Sequence, residues 1–420
     1  MLSAETLIDD PTAQYLLGRM YYDGKGTRQS YELAIHLYKG AASKDCAAAM
    51  KSLGWMYEFG KGVPQSYEDA VRWYRRGAIL GDASCQGYLG DMYQYGKGVR
   101  QSYYMAIIWY SLSAEQHNDY GLKKLGFMYR DGKGVEQSYE RAADLFMMSA
   151  EQGNTDAMRG LGWMFETGKG VAQSYEEAVR WYRRGAILGN ATCQCNLGYM
   201  YQYGKGVPQS DKAAVGWYRK SSDLGNENGM MRLGYMYRFG RGVPQSYRKA
   251  LELFEAAAEK NNPDAMRNIG WMYESGKGVD VSYETAAGWY RRGAELGDAS
   301  CMDSLGLLYL HGKGVPQSDK MAVEWFTRSA KNGNQYGQRD LGHMYESGKG
   351  VIRDLKEAVH WYQMSADQGN VTAKGRLGAM RRADQPRTLS RQLHLYGSVH
   401  PVVPCLCDCK GCECGDHMRY

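Results

Sequence analysis

The chain has 420 residues, 44% hydrophobic and 23% charged, with 52 Lys and Arg interleaved among 46 Asp and Glu. That balance fits a folded soluble protein, and the net charge of +6 is too small for its length to suggest a nucleic-acid binder. No run of about 18 apolar residues occurs, so no membrane span is expected.

The opening residues, Met1 to Asp10, have neither a basic start nor an apolar stretch. They do not resemble a secretory signal, and a cytoplasmic location is expected. Beyond them the Gly of a Leu-Gly (once Ile-Gly) dipeptide recurs every 36 residues, from Gly18 to Gly378. A fixed period of this size predicts a solenoid of stacked supersecondary units. Length alone would suggest about three domains. A stack instead has one continuous core, so the predicted organisation is a repeat solenoid over residues 1–382 and an irregular tail over 383–420. Each unit touches mainly its neighbours, which produces a long surface and no catalytic pocket.

Asp82 to Asn118 serves as the model unit. Asp82 is a predicted N-cap for helix A, which ends near Tyr95, and most other units have Asn or Asp there (Asn154, Asn190, Asn226, Asn262, Asp298, Asn334, Asn370). Gly usually precedes this cap, as at Gly81 and Gly189, where a left-handed residue ends the preceding helix. Gly96-Lys97-Gly98 predicts the turn between helices A and B, because two glycines one apart disfavour a helix. Ser102 caps helix B, and Ser174 with Glu177 and Asp354 with Glu357 read as capping boxes. Helix B then carries Ala106 and, three and four residues on, Trp109-Tyr110. The alanine recurs in ten units from Ala34 to Ala358 and lets two helices approach closely. The aromatic pair is expected to cover that seam, hiding roughly 150–250 Å² per ring.

The run Asn190-Ala191…Asn196-Leu197-Gly198-Tyr199-Met200-Tyr201…Gly204-Lys205-Gly206-Val207-Pro208-Gln209-Ser210…Ala214…Trp217-Tyr218 resembles the Sel-one-like repeat, a relative of the tetratricopeptide repeat. The resemblance spans roughly residues 10–380. It implies an all-α fold, a right-handed superhelix of antiparallel helix pairs with helix A on the concave side. It also implies an adaptor that assembles other proteins. Cysteine-rich secreted members that staple each unit with a disulfide have been linked to β-lactam binding. The units here lack paired cysteines, so that activity is not carried over, and a reducing compartment is favoured.

A second rhythm overlies the first. Trp55–Gly98 and Trp163–Gly206 are identical at 35 of 44 positions, three units apart. This reads as duplication of a three-unit block, or as a match to a partner with its own repeat. Two helix-A positions vary in chemistry between units: the residue after the repeat glycine and the residue three further on. They supply the candidate concave binding face of Trp55, Glu58, Asp91, Phe127, Arg130, Trp163, Glu166, Tyr199, Tyr235, Arg238, Trp271 and Glu274. Rings there would bury area at low entropic cost while charges set register. The competing reading is that Trp55, Trp163 and Trp271 pack against helix A of the next unit.

The Gly-Lys-Gly turns lack the P-loop pattern, and the eight histidines sit at unrelated unit positions, so no enzyme is expected. Cys85, Cys193 and Cys301 stand where other units have Ala or Gly and read as small buried hydrophobes. In the tail, Cys405, Cys407, Cys409, Cys412 and Cys414 with His417 form a weak candidate site for Zn²⁺ or Cu⁺; no other cofactor is expected. The expected function is a monomeric protein-interaction scaffold binding partner proteins or peptide segments. A metal-handling or redox protein acting through the tail is the alternative.

Overall fold

The computed structural model describes residues 10–384, and among these it contains 21 α-helices and no strand. In chain order they are α1 (Pro11–Asp23), α2 (Tyr31–Ser43), α3 (Ala47–Phe59), α4 (Tyr67–Ile79), α5 (Ala83–Tyr95), α6 (Tyr103–Glu115), α7 (Asp119–Asp131), α8 (Tyr139–Glu151), α9 (Thr155–Thr167), α10 (Tyr175–Ile187), α11 (Ala191–Tyr203), α12 (Asp211–Asp223), α13 (Glu227–Phe239), α14 (Tyr247–Ala258), α15 (Pro263–Ser275), α16 (Tyr283–Glu295), α17 (Ala299–His311), α18 (Asp319–Lys331), α19 (Gln335–Ser347), α20 (Leu355–Asp367) and α21 (Val371–Asp384). Odd-numbered helices are the predicted A helices and even-numbered ones the B helices. The chain divides into two compact units, Met1–Trp325 and Phe326–Tyr420. From α1 to α17 in the first unit and from α19 to α21 in the second, each A helix packs on the B helix that follows, and that B helix on the next A helix. In the first unit several successive A helices also touch each other, α3 with α5, α5 with α7, α9 with α11, α11 with α13 and α15 with α17, which places them on the inner side of that stack.

Local chemistry sets the boundaries. The Cys85 and Cys193 N–H groups donate to the caps Asp82 and Asn190 at 2.7 and 2.9 Å. Each A helix from α1 to α17 ends at a glycine with φ between 64° and 69°, and Gly206, the second glycine of its turn, has φ 66°. At the B-to-A junction Asp45, His117 and Asn261 adopt the left-handed conformation that glycine takes elsewhere.

The capping boxes form only by half. Glu177 N–H donates to Ser174 Oγ at 3.2 Å, as expected. The Ser174 N–H does not wait for the Glu177 carboxylate; it donates to the Phe165 carbonyl of α9 at 3.0 Å. Equivalent bonds run from Ser66 to Tyr57, Ser102 to Tyr93 and Ser210 to Tyr201. This bond ties the start of helix B to the end of helix A, and Glu177 is left to meet Arg180 at 3.5 Å.

The aromatic pair also divides its work. The second ring (Tyr74, Tyr110, Phe146, Tyr182, Tyr218, Phe254, Tyr290) is at most 2% exposed. It lies against the repeat glycine of its own unit: Tyr74 on Gly54, Tyr110 on Gly90, Phe146 on Gly126. A Cβ at Gly198 would stand 2.6 Å from the Tyr218 ring, so the glycine is there to admit the ring. The first ring turns away, because consecutive helix residues point about 100° apart. Trp73, Trp109, Trp217 and Trp289 are therefore half-buried on the flank. Burying one ring contributes a few kcal/mol, at about 25 cal/mol per Å².

Candidate protein-binding face

Eleven of the twelve candidate face residues are half-buried, and Glu58 is buried. All lie on A helices and engage their neighbours. Glu58 accepts a hydrogen bond from Tyr74 at 3.0 Å, Glu166 from Tyr182 at 3.0 Å and Glu274 from Tyr290 at 2.9 Å. Gln94 and Gln202 accept from Tyr110 and Tyr218, each at 2.6 Å, and Glu346 accepts from Tyr362 at 2.7 Å. Asp91 takes both the Tyr110 and Tyr120 hydroxyls and pairs with Lys124 at 2.8 Å. Burial, and then the adjacent carboxylate, push the Tyr74, Tyr182 and Tyr290 phenols far above their usual range, so they stay protonated donors.

Charge at this register position thus follows the core. Where the buried ring is Phe146 or Phe254, no hydroxyl needs an acceptor, and the position holds Arg130 or Arg238. Replacing Tyr182 by Phe should cost about 1 kcal/mol, because Glu166 loses its donor. Adding Glu166→Arg to Tyr182→Phe recreates the Phe146–Arg130 pairing. Chemical denaturation should show a double variant more stable than the sum of its parts; strict additivity would break the proposed coupling.

The arginines that appear opposite Phe serve the next repeat. Arg130 lies 4.7 Å from the Phe127 ring and 6.0 Å from Trp163, and Arg238 lies 3.5 Å from Trp271. Tyr22 meets Trp55 edge-on at 5.8 Å at the same register. The three-unit rhythm of Trp55, Trp163 and Trp271 is therefore a contact between one A helix and the A helix before it, not the one after it as the competing reading expected. The turn lysines are also engaged. Lys205 stands over Tyr175 and Tyr199 at 5.3 and 4.9 Å, and Lys169 over Tyr139 and Trp163, each at 5.1 Å. Where the preceding B helix opens with Asp211 instead of Tyr, the turn carries Arg241, bonded to it at 3.1 and 3.2 Å.

Four exposed rings on this side were passed over in the sequence reading. Phe59, Tyr95, Tyr203 and Phe239, the last residues of their A helices, are 52–56% exposed. They sit four residues after the first variable position. Phe59 lies tilted against Trp55 at 4.9 Å and Tyr203 against Tyr199 at 4.6 Å. Their place one residue before the turn glycine was the available signal. Shallow clefts lie between successive A helices: about 300 Å³ beside Arg19, Tyr22 and Trp55, and about 370 Å³ beside Tyr203, Arg232 and Phe239.

Cys85, Cys193 and Cys301 are buried at the junction of helix B with the following helix A, against Gly77, Gly185 and Gly293. Burial raises the Cys193 thiol to about 12 and the Cys195 thiol to about 11, which leaves both unreactive near neutrality. Cys405, Cys407, Cys409, Cys412, Cys414 and His417 lie outside the described residues. Among the described residues no group of three or more His, Cys, Asp or Glu is placed to hold a metal ion. No described helix is long and apolar enough to cross a membrane.

Helix pairs sharing an inter-repeat core define an α/α solenoid of the tetratricopeptide-like class. The Sel1 repeat pattern matches ten successive segments, 11–46, 47–82, 83–118, 120–154, 155–190, 191–226, 228–262, 263–298, 299–334 and 335–370, and the chain belongs to this family. It is similar to c5321, a protective antigen of uropathogenic Escherichia coli strains displaying an SLR fold, at 34% identity over 90% of this chain and 82% of that one, with a TM-score of 0.66. It is also similar to a Sel1 repeat protein from Oxalobacter formigenes, at 30% identity over 78% of this chain and 93% of that one, with a TM-score of 0.54. No curated protein is a significant match. Folds built from this repeat generally mediate protein–protein interaction.

Proposed function

We propose that this protein is a non-catalytic interaction scaffold that holds a partner protein on the A-helix side of its repeats, in the cytoplasm. The carrying observation is the row of exposed rings at the ends of the A helices, Phe59, Tyr95, Tyr203 and Phe239, each beside half-buried aromatic or cationic residues. Exposed rings flanked by charge are the usual anchors of a protein interface. Trp55, Tyr199 and Tyr235 of the predicted face, each more buried, pack beside the anchors Phe59, Tyr203 and Phe239.

The reading predicts a one-sided loss. Serine at Phe59, Tyr95, Tyr203 and Phe239 together should reduce partner capture by about tenfold or more, with helicity and melting temperature retained. Serine at Ile79 and Ile187, 71% exposed on B helices, should leave capture unchanged. Equal loss from both sets in quantitative pull-downs would remove the assignment to the A-helix side.

A further inference from the structure

At the second position before the repeat glycine, three repeats carry a cation: Lys124, Arg232 and Arg376. Lys124 pairs with Asp91 at 2.8 Å and Arg376 with Glu346 at 3.6 Å, in each case an acid on the A helix of the preceding repeat. Arg232 meets Tyr199 and Gln202 at those two register positions. Its guanidinium lies 4.9 Å from the Tyr199 ring centroid and hydrogen-bonds to the Tyr218 hydroxyl and the Cys195 sulfur. Among the described residues it has no carboxylate partner, although it is half-buried. An arginine presents five donors, more than these two partners take up.

Arg232 lines the cleft of about 370 Å³ between α11 and α13, whose rim is Tyr203 and Phe239. The cation at its other end, Arg241, is already neutralised by Asp211 at 3.1 Å. Arg238, further along α13, bonds neutral Asn268 and stacks on Trp271, again with no carboxylate among the described residues. Arg232 and Arg238 on this stretch of the A-helix side therefore carry positive charge that no ion pair among the described residues neutralises.

We propose that the cleft takes an acidic side chain, Glu or Asp, from an extended partner segment. Its carboxylate would sit on Arg232 in the place that Asp91 and Glu346 fill for Lys124 and Arg376, with the segment's backbone between Tyr203 and Phe239. Half-buried rings continue on the A helices to either side, at Trp163 in α9 and Trp271 in α15, so the segment has surface to follow in both directions and need not end here. The proposal rests on the scaffold reading and names what one part of that face recognises.

The test uses the full chain and a labelled decapeptide of alternating Glu and Leu, acetylated and amidated at its ends, with its Gln analogue as reference. Fluorescence anisotropy should show the Glu peptide binding about tenfold or more tightly than the Gln peptide, the scale of a charge-assisted pair. Gln202→Glu should abolish that preference. Glu already occupies this register at Glu58, Glu166 and Glu274, where it accepts from the ring tyrosine, so the variant should fold and melt higher while satisfying Arg232 from within. Arg232→Gln should give the same loss of preference. Equal affinity for the two peptides, binding of neither, or an undiminished preference in Gln202→Glu would overturn the proposal. So would tighter binding of a Gln peptide with a free C-terminal carboxylate than of the capped Glu peptide, which would assign the cleft to a chain end. If the peptides fail while the A-side serine variants still lose partner capture, only this proposal falls and the scaffold reading stands.

Discussion

Alanine at Gly206 is expected to destabilise the first unit by about 3 kcal/mol, from two terms of similar size. The residue has φ 66°, a conformation that costs an L-residue roughly 1–2 kcal/mol. Its missing Cβ would also press into the Tyr175 carbonyl at the start of α10, and backbone there cannot move aside as a side chain could. Gly204 is the internal control. Its φ is 65°, but a Cβ there would meet only Gln209, whose Cβ lies at 3.2 Å and whose backbone lies no nearer than 3.5 Å. Gly204→Ala should therefore cost only about 1–2 kcal/mol, the conformational term alone. Urea denaturation of the two variants decides the matter. Equal losses would mean that the second turn glycine is kept for its backbone conformation and not for the approach of the neighbouring repeat.

Serine at Gly185 should cost about 1–3 kcal/mol through overpacking, since a Cβ there would stand 2.6 Å from Cys193 Sγ. Adding Cys193→Gly to Gly185→Ser should restore most of the loss. The remedy is already present in other repeats. Ser113 faces Gly121 and Ser221 faces Gly229, and both serines donate to the first carbonyl of their own A helix, Ala83 and Ala191, at 2.7 Å. The equivalent carbonyl, Thr155 O, now lies 3.8 Å from the Cys193 thiol. A serine at 185 would take it over once the sulfur is gone. Cys193→Gly alone should be destabilising, as it opens a cavity and adds a helical glycine. If the double variant were as unstable as the two single losses added together, the two positions would not share one space.

Much of the fold was legible because its causes are local. The Asp and Asn caps, the Ser caps and the paired turn glycines each act within a few residues, and all appear where the spacing placed them. The capping boxes failed by half for a reason outside that range: the Ser174 N–H was already taken by the Phe165 carbonyl of another helix. The binding face was the hardest part to read. Taken alone, a column mixing Glu58, Gln94, Arg130 and Glu166 has the variety of a solvent-facing surface. Compared in pairs, Glu or Gln accompanies Tyr74, Tyr110 and Tyr182, while Arg accompanies Phe146. The variation was written in the sequence as a coupling between residues 16 apart.

The sequence by itself determined the repeat, its length, the start and stop of each helix and the membership of the chain in the Sel1 family. Periodicity and capping depend on the backbone needs of a few neighbouring residues, and those needs are the same in every unit. Tertiary structure alone decided how deep each face residue lies. Trp163 is half-buried because Arg130 of the preceding repeat covers one side of it, whereas Tyr203 is 52% exposed at the end of its helix. Depth is a property of the space between repeats, set by the size and charge of both residues that meet there.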